Sequence, residues 1–94
     1  MHVISHARIT KAQAAHPDCR TTLDQWYRLI KRADWRNSAE VKACFPAVDK
    51  VRDKFVFDAG GNNLRLIAAL HFNAGRVFAR AVLTHREYDK GDWK

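Results

Sequence analysis

No stretch of about 18 apolar residues occurs anywhere in this 94-residue chain, so no segment is read as a membrane-spanning helix. The opening run MHVISHARIT lacks the apolar core of a signal peptide, and a cytoplasmic protein is the expectation. Cysteine is scarce. Cys19 and Cys44 are too few for a disulfide framework, and no Cys/His cluster has zinc-ligand spacing, so neither a metal nor another cofactor is expected. His2 and His6 are four apart, but a strand-to-helix break is expected between them. Both cysteines are read as free thiols, with Cys44 a small buried hydrophobe near the end of a helix. No serine- or cysteine-protease constellation is readable. Gly60-Gly61 falls between two strand candidates rather than before a helix, which makes it a turn and not a phosphate-binding loop. There is no low-complexity tract, repeat or linker, and 47% hydrophobic content is that of a folded chain. Residues 1–94 are therefore read as one domain with a modest core.

The most informative absence is of acid. Between Ala59 and Arg86 there is no Asp or Glu, while Arg65, Arg76, Arg80, Arg86, His71 and His85 all fall in or at the end of that window. The formal net charge is +7, which calls for an acidic partner: nucleic acid, an acidic protein or an anionic membrane. No long basic amphipathic helix is visible, which argues against the membrane.

The first half reads as helical. His2 to Ile4 fits a short opening strand, and Ser5 would cap a helix ending near His16, before Pro17. Leu23, Trp26, Tyr27, Ile30 and Ala33 recur on one helical face, with Trp26 and Tyr27 expected in the core. A third helix starts at Asn37, where Asn37 and Glu40 have capping-box spacing, and ends before Pro46. The second half reads as a strand meander over 54–58, 64–72 and 76–84. Its turns are Ala59-Gly60-Gly61-Asn62-Asn63 and Asn73-Ala74-Gly75. The expected fold class is α+β, a small antiparallel sheet with two to three helices packed on one face.

Period-2 alternation then divides the strands. Phe55 and Phe57, Leu64, Leu66, Ala68, Leu70 and Phe72, and Val77, Ala79, Ala81 and Leu83 are expected against the helices. Lys54, Arg65, His71, Arg76 and Arg80 are expected on the open face, subject to inversion by a one-residue bulge. A hairpin about residues 73–75 pairs positions whose numbers sum to about 148, so Arg65 lies across from Leu83 or Thr84 and comes near His85.

The segment His85-Arg86-Glu87-Tyr88-Asp89-Lys90 is the densest polar run, and its residue types suit RNA cleavage through the neighbouring 2′-hydroxyl. Histidine can act as acid or base. Arginine binds phosphate oxygens with a fixed, forked charge. Tyrosine can transfer a proton or stack on an unpaired base. The plainer reading is a polar turn with Tyr88 packed on the sheet.

The runs Phe55-Val56-Phe57-Asp58-Ala59-Gly60-Gly61-Asn62-Asn63-Leu64-Arg65-Leu66-Ile67-Ala68 and Ala79-Arg80-Ala81-Val82-Leu83-Thr84-His85-Arg86-Glu87-Tyr88-Asp89-Lys90 resemble the signature of HigB-type toxins. These are RelE-like mRNA interferases of type II toxin–antitoxin systems. Met1-His2-Val3-Ile4-Ser5 and Lys42-Ala43-Cys44-Phe45-Pro46 fit as well, so the resemblance covers nearly the whole chain. It implies a RelE-like fold and metal-independent cleavage of mRNA, usually in the ribosomal A site. It also implies a HigA-type helix-turn-helix antitoxin as partner, and no membrane. Carried over by position, Arg65 and Arg80 become phosphate and transition-state ligands, His85 the leading general acid or base, and Tyr88 a proton-transfer or stacking residue. Lys90 becomes a further phosphate contact, with Lys54, Arg76 and Arg86 as RNA-binding candidates. Glu87 and Asp89 are minor candidates for orienting Arg65 or His85. The rival reading is a non-catalytic module that binds RNA or protein through the same basic face.

Overall fold

The computed structural model describes residues 1–4, 6–59, 64–91 and 93. The expected Ser5 cap and the turn at residues 60–63 lie outside the described residues. The first strand, β1, spans His2–Ile4, and the first helix, α1, spans His6–Ala15. Pro17 then opens a single 3-10 turn, Pro17–Cys19, and feeds α2, Arg20–Arg32. Proline suits that position because the first N–H groups of a helix have no partner inside it.

On α2 the apolar stripe is buried: Leu23 at 0%, Trp26 at 4% and Ile30 at 0% exposure. Tyr27 is corrected from core to margin. One position round the helix from Trp26, it is half-buried and stacks on His6 with ring centroids 4.0 Å apart. Helix α3, Ser38–Cys44, is capped by the Asn37 side chain, which accepts from the Glu40 N–H at 3.1 Å. Glu40 reaches back to the Arg36 N–H at 3.2 Å instead of completing the box at Asn37. Cys44 is exposed, contrary to expectation, and Cys19 is the buried thiol. Val41 is the residue α3 buries. The adjoining Phe45 then packs against the core, edge-on to Trp35 and Phe57, in the place assigned to Cys44. Burial, with Asp18 nearby, raises the Cys19 thiol above its ordinary pKa.

The remaining strands are β2 (Asp49–Val51), β3 (Lys54–Ala59), β4 (Leu64–His71) and β5 (Arg76–Thr84). The sheet runs β1-β5-β4-β3-β2. Strands β3 to β5 form the expected antiparallel meander, with β4 central, and β2 adds an unexpected antiparallel strand beside β3. β1 joins parallel to β5, so the sheet is mixed. The chain leaves β1 into helices, so no hairpin dictates its direction. Gly75, at φ 63°, ends the turn before β5, and its N–H donates to the Phe72 carbonyl at 3.2 Å. α1 packs on β5, and α2 on β1 and β3, around one core cluster.

One irregularity decides which residues face that core. β4 and β5 pair as Arg65↔Leu83, Leu66↔Val82 and Ile67↔Ala81, then shift to Ala68↔Ala79 and Ala69↔Phe78. Arg80 is the extra residue, and it makes a β-bulge. Before it, Val77 and Ala79 point to the helices, at 0% and 1% exposure. After it the alternation inverts. Val82 packs on the core cluster beside Leu66, while Ala81 and Leu83 share the other face with Ile67 and Arg65. Ala81 and Leu83 were expected against the helices, and the bulge is why they are not. The carbonyl of Arg80 does not go unsatisfied: the Arg8 guanidinium on α1 donates to it at 2.6 Å.

Leu66 is fully buried at the centre of the sheet, and Leu29 on α2 is 52% exposed. Leu66→Ala is expected to cost about 2–5 kcal/mol, a large share of the stability of a small domain. Leu29→Ala should stay within about 0.5 kcal/mol. Urea unfolding midpoints of the two variants measure the contrast.

Candidate active site

Arg65 lies in β4 on the sheet face away from α1 and α2, between Asp58 of β3 and Leu83 of β5. Its Nη1 meets the Asp58 carboxylate at 3.1 Å, and its side chain is only 14% exposed. A guanidinium is the cation best suited to such partial burial, because it is weakly hydrated and its fork is rigid. Its Cζ also lies 5.7 Å from the centre of the Tyr88 ring. Arg65 is thus held from two sides, one ionic and one aromatic.

Tyr88 comes from α4, His85–Lys90, an element the sequence reading took for a polar turn. Thr84, the last residue of β5, caps it. The Glu87 N–H donates to the Thr84 hydroxyl at 3.3 Å, and the Glu87 carboxylate accepts from the Thr84 N–H and hydroxyl at 3.0 Å each. Those bonds hold the Glu87 carboxyl below the usual carboxylate range. Glu87 is therefore a capping residue and not an orienter of Arg65. Gly91, at φ 75°, closes the helix, its N–H donating to the Tyr88 carbonyl at 3.1 Å. Along α4, His85 and Asp89 pair at 3.4 Å as an i,i+4 couple, both well exposed. Tyr88, three residues from His85, stacks on Trp93 with centroids 5.0 Å apart and planes 15° apart. The Trp93 indole N–H donates to the Tyr88 carbonyl at 2.9 Å.

Further along the same face, Lys54, Asp53, Arg80, Ile67, Ala69, Ala81 and Trp93 line a depression of about 430 Å³. Lys54 is 4.0 Å from Asp53. Arg80 is exposed, with its Cζ 5.5 Å from the Phe78 ring centre. The aliphatic residues of this face are not open to solvent: Val56, Ile67 and Ala69 are 2%, 0% and 8% exposed. Arg76 pairs with His71 at the opposite end of β5 from α4, so it is not brought to Arg65. Arg86 and Lys90 are exposed on α4 itself. A larger cleft, about 740 Å³, lies between α1 and the end of β5, and none of Arg65, Arg80, His85 or Tyr88 lines it. Among the described residues, no group of three or more His, Cys, Asp or Glu side chains is placed to hold a metal ion.

Two acids and one aromatic escaped the sequence reading. Asp58 was legible in principle, since the β3–β4 pairing places it across from Arg65 as surely as the β4–β5 pairing places Leu83. Asp53 and Trp93 carried no local signal. They reach the basic face only through the β2–β3 turn and the fold-back after α4. The geometry puts one fixed guanidinium, one exposed guanidinium, a lysine, an imidazole and two stacked aromatics on or beside a single sheet face. That set can grip a phosphate and hold an unpaired base, with a proton-transfer group at hand.

A small α+β domain with this basic sheet face and C-terminal helix matches a family model described as HigB_toxin, the RelE-like toxic component of a toxin–antitoxin system, over residues 19–91. Among curated proteins, the chain is 40% identical over 93 residues to an mRNA interferase HigB of Escherichia coli O6:H1, covering 96% of this chain and 90% of that one. It is 35% identical over 92 residues to the mRNA interferase toxin HigB of Escherichia coli K12, covering 95% and 88% respectively. The chain belongs to the HigB toxin family.

The cap yields a test of how α4 is held. Thr84→Ala removes the two bonds of the Thr84 hydroxyl with Glu87, leaves the backbone N–H bond in place, and should lower the melting temperature by about 4–8 °C. Because the Glu87 carboxyl is depressed in the folded state, its contribution is present above the ordinary carboxylate value and is lost as pH falls through its lower folded value. Amide chemical shifts of residues 85–90, followed from neutral to acid pH, should show that transition in the wild type and move it to higher pH in Thr84→Ala, which keeps the backbone N–H bond to Glu87 but lacks the hydroxyl.

Proposed function

We propose that residues 1–94 form one toxin domain that cleaves mRNA on the ribosome, in the cytoplasm, without a metal ion, and that a HigA-type helix-turn-helix antitoxin neutralises it. The observation that carries this reading is Arg65, fixed by Asp58 and capped by the Tyr88 ring on the basic face. Relatives matched over nearly the whole chain are named mRNA interferases, which supports the same substrate.

The reaction follows from the groups available. The 2′-hydroxyl of the nucleotide attacks the adjoining phosphorus, forming the 2′-O–P bond as the P–O5′ bond breaks. The products are a 2′,3′-cyclic phosphate and a 5′-hydroxyl. The nucleophile belongs to the substrate, so the protein needs to supply only charge and two proton transfers. Arg65 is the preorganised cation for the crowded phosphate, since it is already held in place before substrate arrives. Arg80, exposed and less restrained, takes the neighbouring phosphate oxygens. His85 is the leading proton-transfer group, its ring oriented by Asp89. Tyr88 either shares the proton work or stacks on a base. Lys54, Arg86 and Lys90 contact the backbone on either side, and Arg76 extends the positive track to the far end of β5.

Purified protein with translating ribosomes should release mRNA fragments ending in a 2′,3′-cyclic phosphate. Arg65→Ala should lower kcat by about 100- to 1000-fold, and His85→Ala by about 100-fold or more, with both variants still binding ribosomes. Full-rate cleavage by both would remove the assigned site, and binding without any cleavage by the wild type would leave a non-catalytic module. Growth arrest on induction, relieved by co-expressing the antitoxin, tests the partner.

A further inference from the structure

Arg80 owes its place to contacts that its own sheet does not supply. The pairing of β1 with β5 ends at Ile4↔Phe78, and consecutive residues of β4, Ile67 and Ala68, pair with Ala81 and Ala79. Among the described residues of β5, Arg80 alone therefore has no partner in either neighbouring strand. A bulged residue lacks the ladder bonds that limit its φ and ψ, so its Cα–Cβ direction follows whatever else holds its backbone. Here that is Arg8, in the first turn of α1, whose Nη1 donates to the Arg80 carbonyl at 2.6 Å. The bond is short, as suits a charged donor. Arg8 shares its cleft with the Glu87 carboxylate, yet it bonds the backbone. Glu87 is already engaged by the Thr84 N–H and hydroxyl. At the other end of the side chain, the Arg80 guanidinium stands 5.5 Å from the Phe78 ring centre, on the rim of the depression that Lys54 also lines. Arg80 is thus held at its root from the helix layer and at its head by an aromatic ring.

We propose that Arg8 is a positioning residue for the RNA-cleaving reaction: from α1 it holds the backbone carbonyl of Arg80 and so fixes where the Arg80 guanidinium meets the substrate phosphate. The inference rests on the reading above, in which Arg80 acts on that phosphate, and it adds a residue that acts only through Arg80. The bulge itself is kept by the core, since losing it would turn Val82 away from Leu66. What the core leaves open is the orientation of the Arg80 backbone within the bulge, and Arg8 sets that. The lever is long. A guanidinium stands about 6 Å from its Cα, so a swing of about 10° at the backbone displaces it by about 1 Å. A displacement of about 1 Å at a reacting centre can cost about 100-fold in rate.

Arg8→Met keeps an unbranched, helix-favouring stem but has no donor, and Arg8→Lys keeps a charged donor. In the ribosome assay Arg8→Met should lower kcat by about 10- to 100-fold with little change in KM, and Arg8→Lys should recover the greater part. Because Arg8 acts through Arg80, the double variant carrying Arg8→Met and Arg80→Ala should cut like Arg80→Ala alone, within about twofold. A second readout needs no RNA. The order parameter of the Arg80 Nε–H, from nitrogen relaxation, should fall in Arg8→Met and return in Arg8→Lys. The Leu66 amide shift should stay in place throughout, which separates local loosening from partial unfolding. An unchanged Arg80 order parameter, or full-rate cleavage by Arg8→Met where Arg80→Ala is impaired, overturns the positioning role and leaves the nuclease reading intact. Losses that multiply in the double variant, with a raised KM and a weaker salt dependence in Arg8→Met, make Arg8 a phosphate contact of its own and also overturn it. Full-rate cleavage by Arg80→Ala is a failure of the underlying reading instead, and it takes the positioning role with it even where the order parameter falls.

Discussion

A single extra residue in β5 governs where nearly everything of functional interest points. With Arg80 bulged between Ala79 and Ala81, the strand presents Val77 and Ala79 to the helices, then Val82 and Thr84. Without the bulge, the second pair would be Ala81 and Leu83. The difference matters at both ends of the inversion. At the bulge, Arg80 leaves the ladder and joins the rim of the depression, while its carbonyl is taken up by Arg8. Beyond it, Thr84 stands across from Leu64 at the end of the strand, where its hydroxyl caps α4. The start of α4, the placing of Tyr88 over Arg65 and the fold-back of Trp93 all follow from that exit.

The charge pattern also changes meaning once the chain is folded. A window without acid in sequence is not without acid in space. Asp58, one residue before that window, pairs with its first arginine, and Asp53 stands beside Lys54 across the sheet from Arg80. The two pairings differ in kind. Arg65 and Asp58 are close and partly desolvated, so the interaction fixes a geometry. Lys54 and Asp53 are at the 4.0 Å limit with Asp53 in solvent, which is worth little energetically and leaves both groups available to a ligand. One arginine is restrained and the other is exposed, so Arg65 and Arg80 differ in setting although both lie within the residues matched by the family.

Much of the architecture was legible in the residues. The α2 stripe, the strand boundaries near Lys54, Leu64 and Arg76, and the facing of Arg65 and Leu83 all follow from periodicity and hairpin geometry. The failures have separate causes. Helix α4 was missed although Thr84-x-x-Glu87 is a capping-box pattern, because six polar residues show no apolar stripe. β2 is three residues, two of them charged, and reverses at Arg52 with φ 59° and no glycine or asparagine to announce it. The inversion at Arg80 cannot be read from alternation, since Ala81 and Leu83 are apolar on one side and Val82 is apolar on the other. Trp93 became part of the site only through the fold-back that stacks it on Tyr88.

Two of the named groups therefore sit on the least secure element of the molecule. A six-residue helix is far too short to be stable alone. α4 buries no residue fully and is held by one capping box, Gly91, and the contacts of Tyr88 with Arg65 and Trp93. Arg65, by contrast, stands in the central strand, flanked on both sides by ladder partners. Local opening takes the lowest-cost route, so α4 can leave the sheet at a fraction of the free energy needed to unfold it. When it does, Arg65 keeps Asp58 but loses the Tyr88 ring, and His85 moves away with the helix. The Arg65 guanidinium is thus a permanent property of the sheet, whereas the His85 imidazole stays beside it only while Thr84 and Glu87 hold the cap.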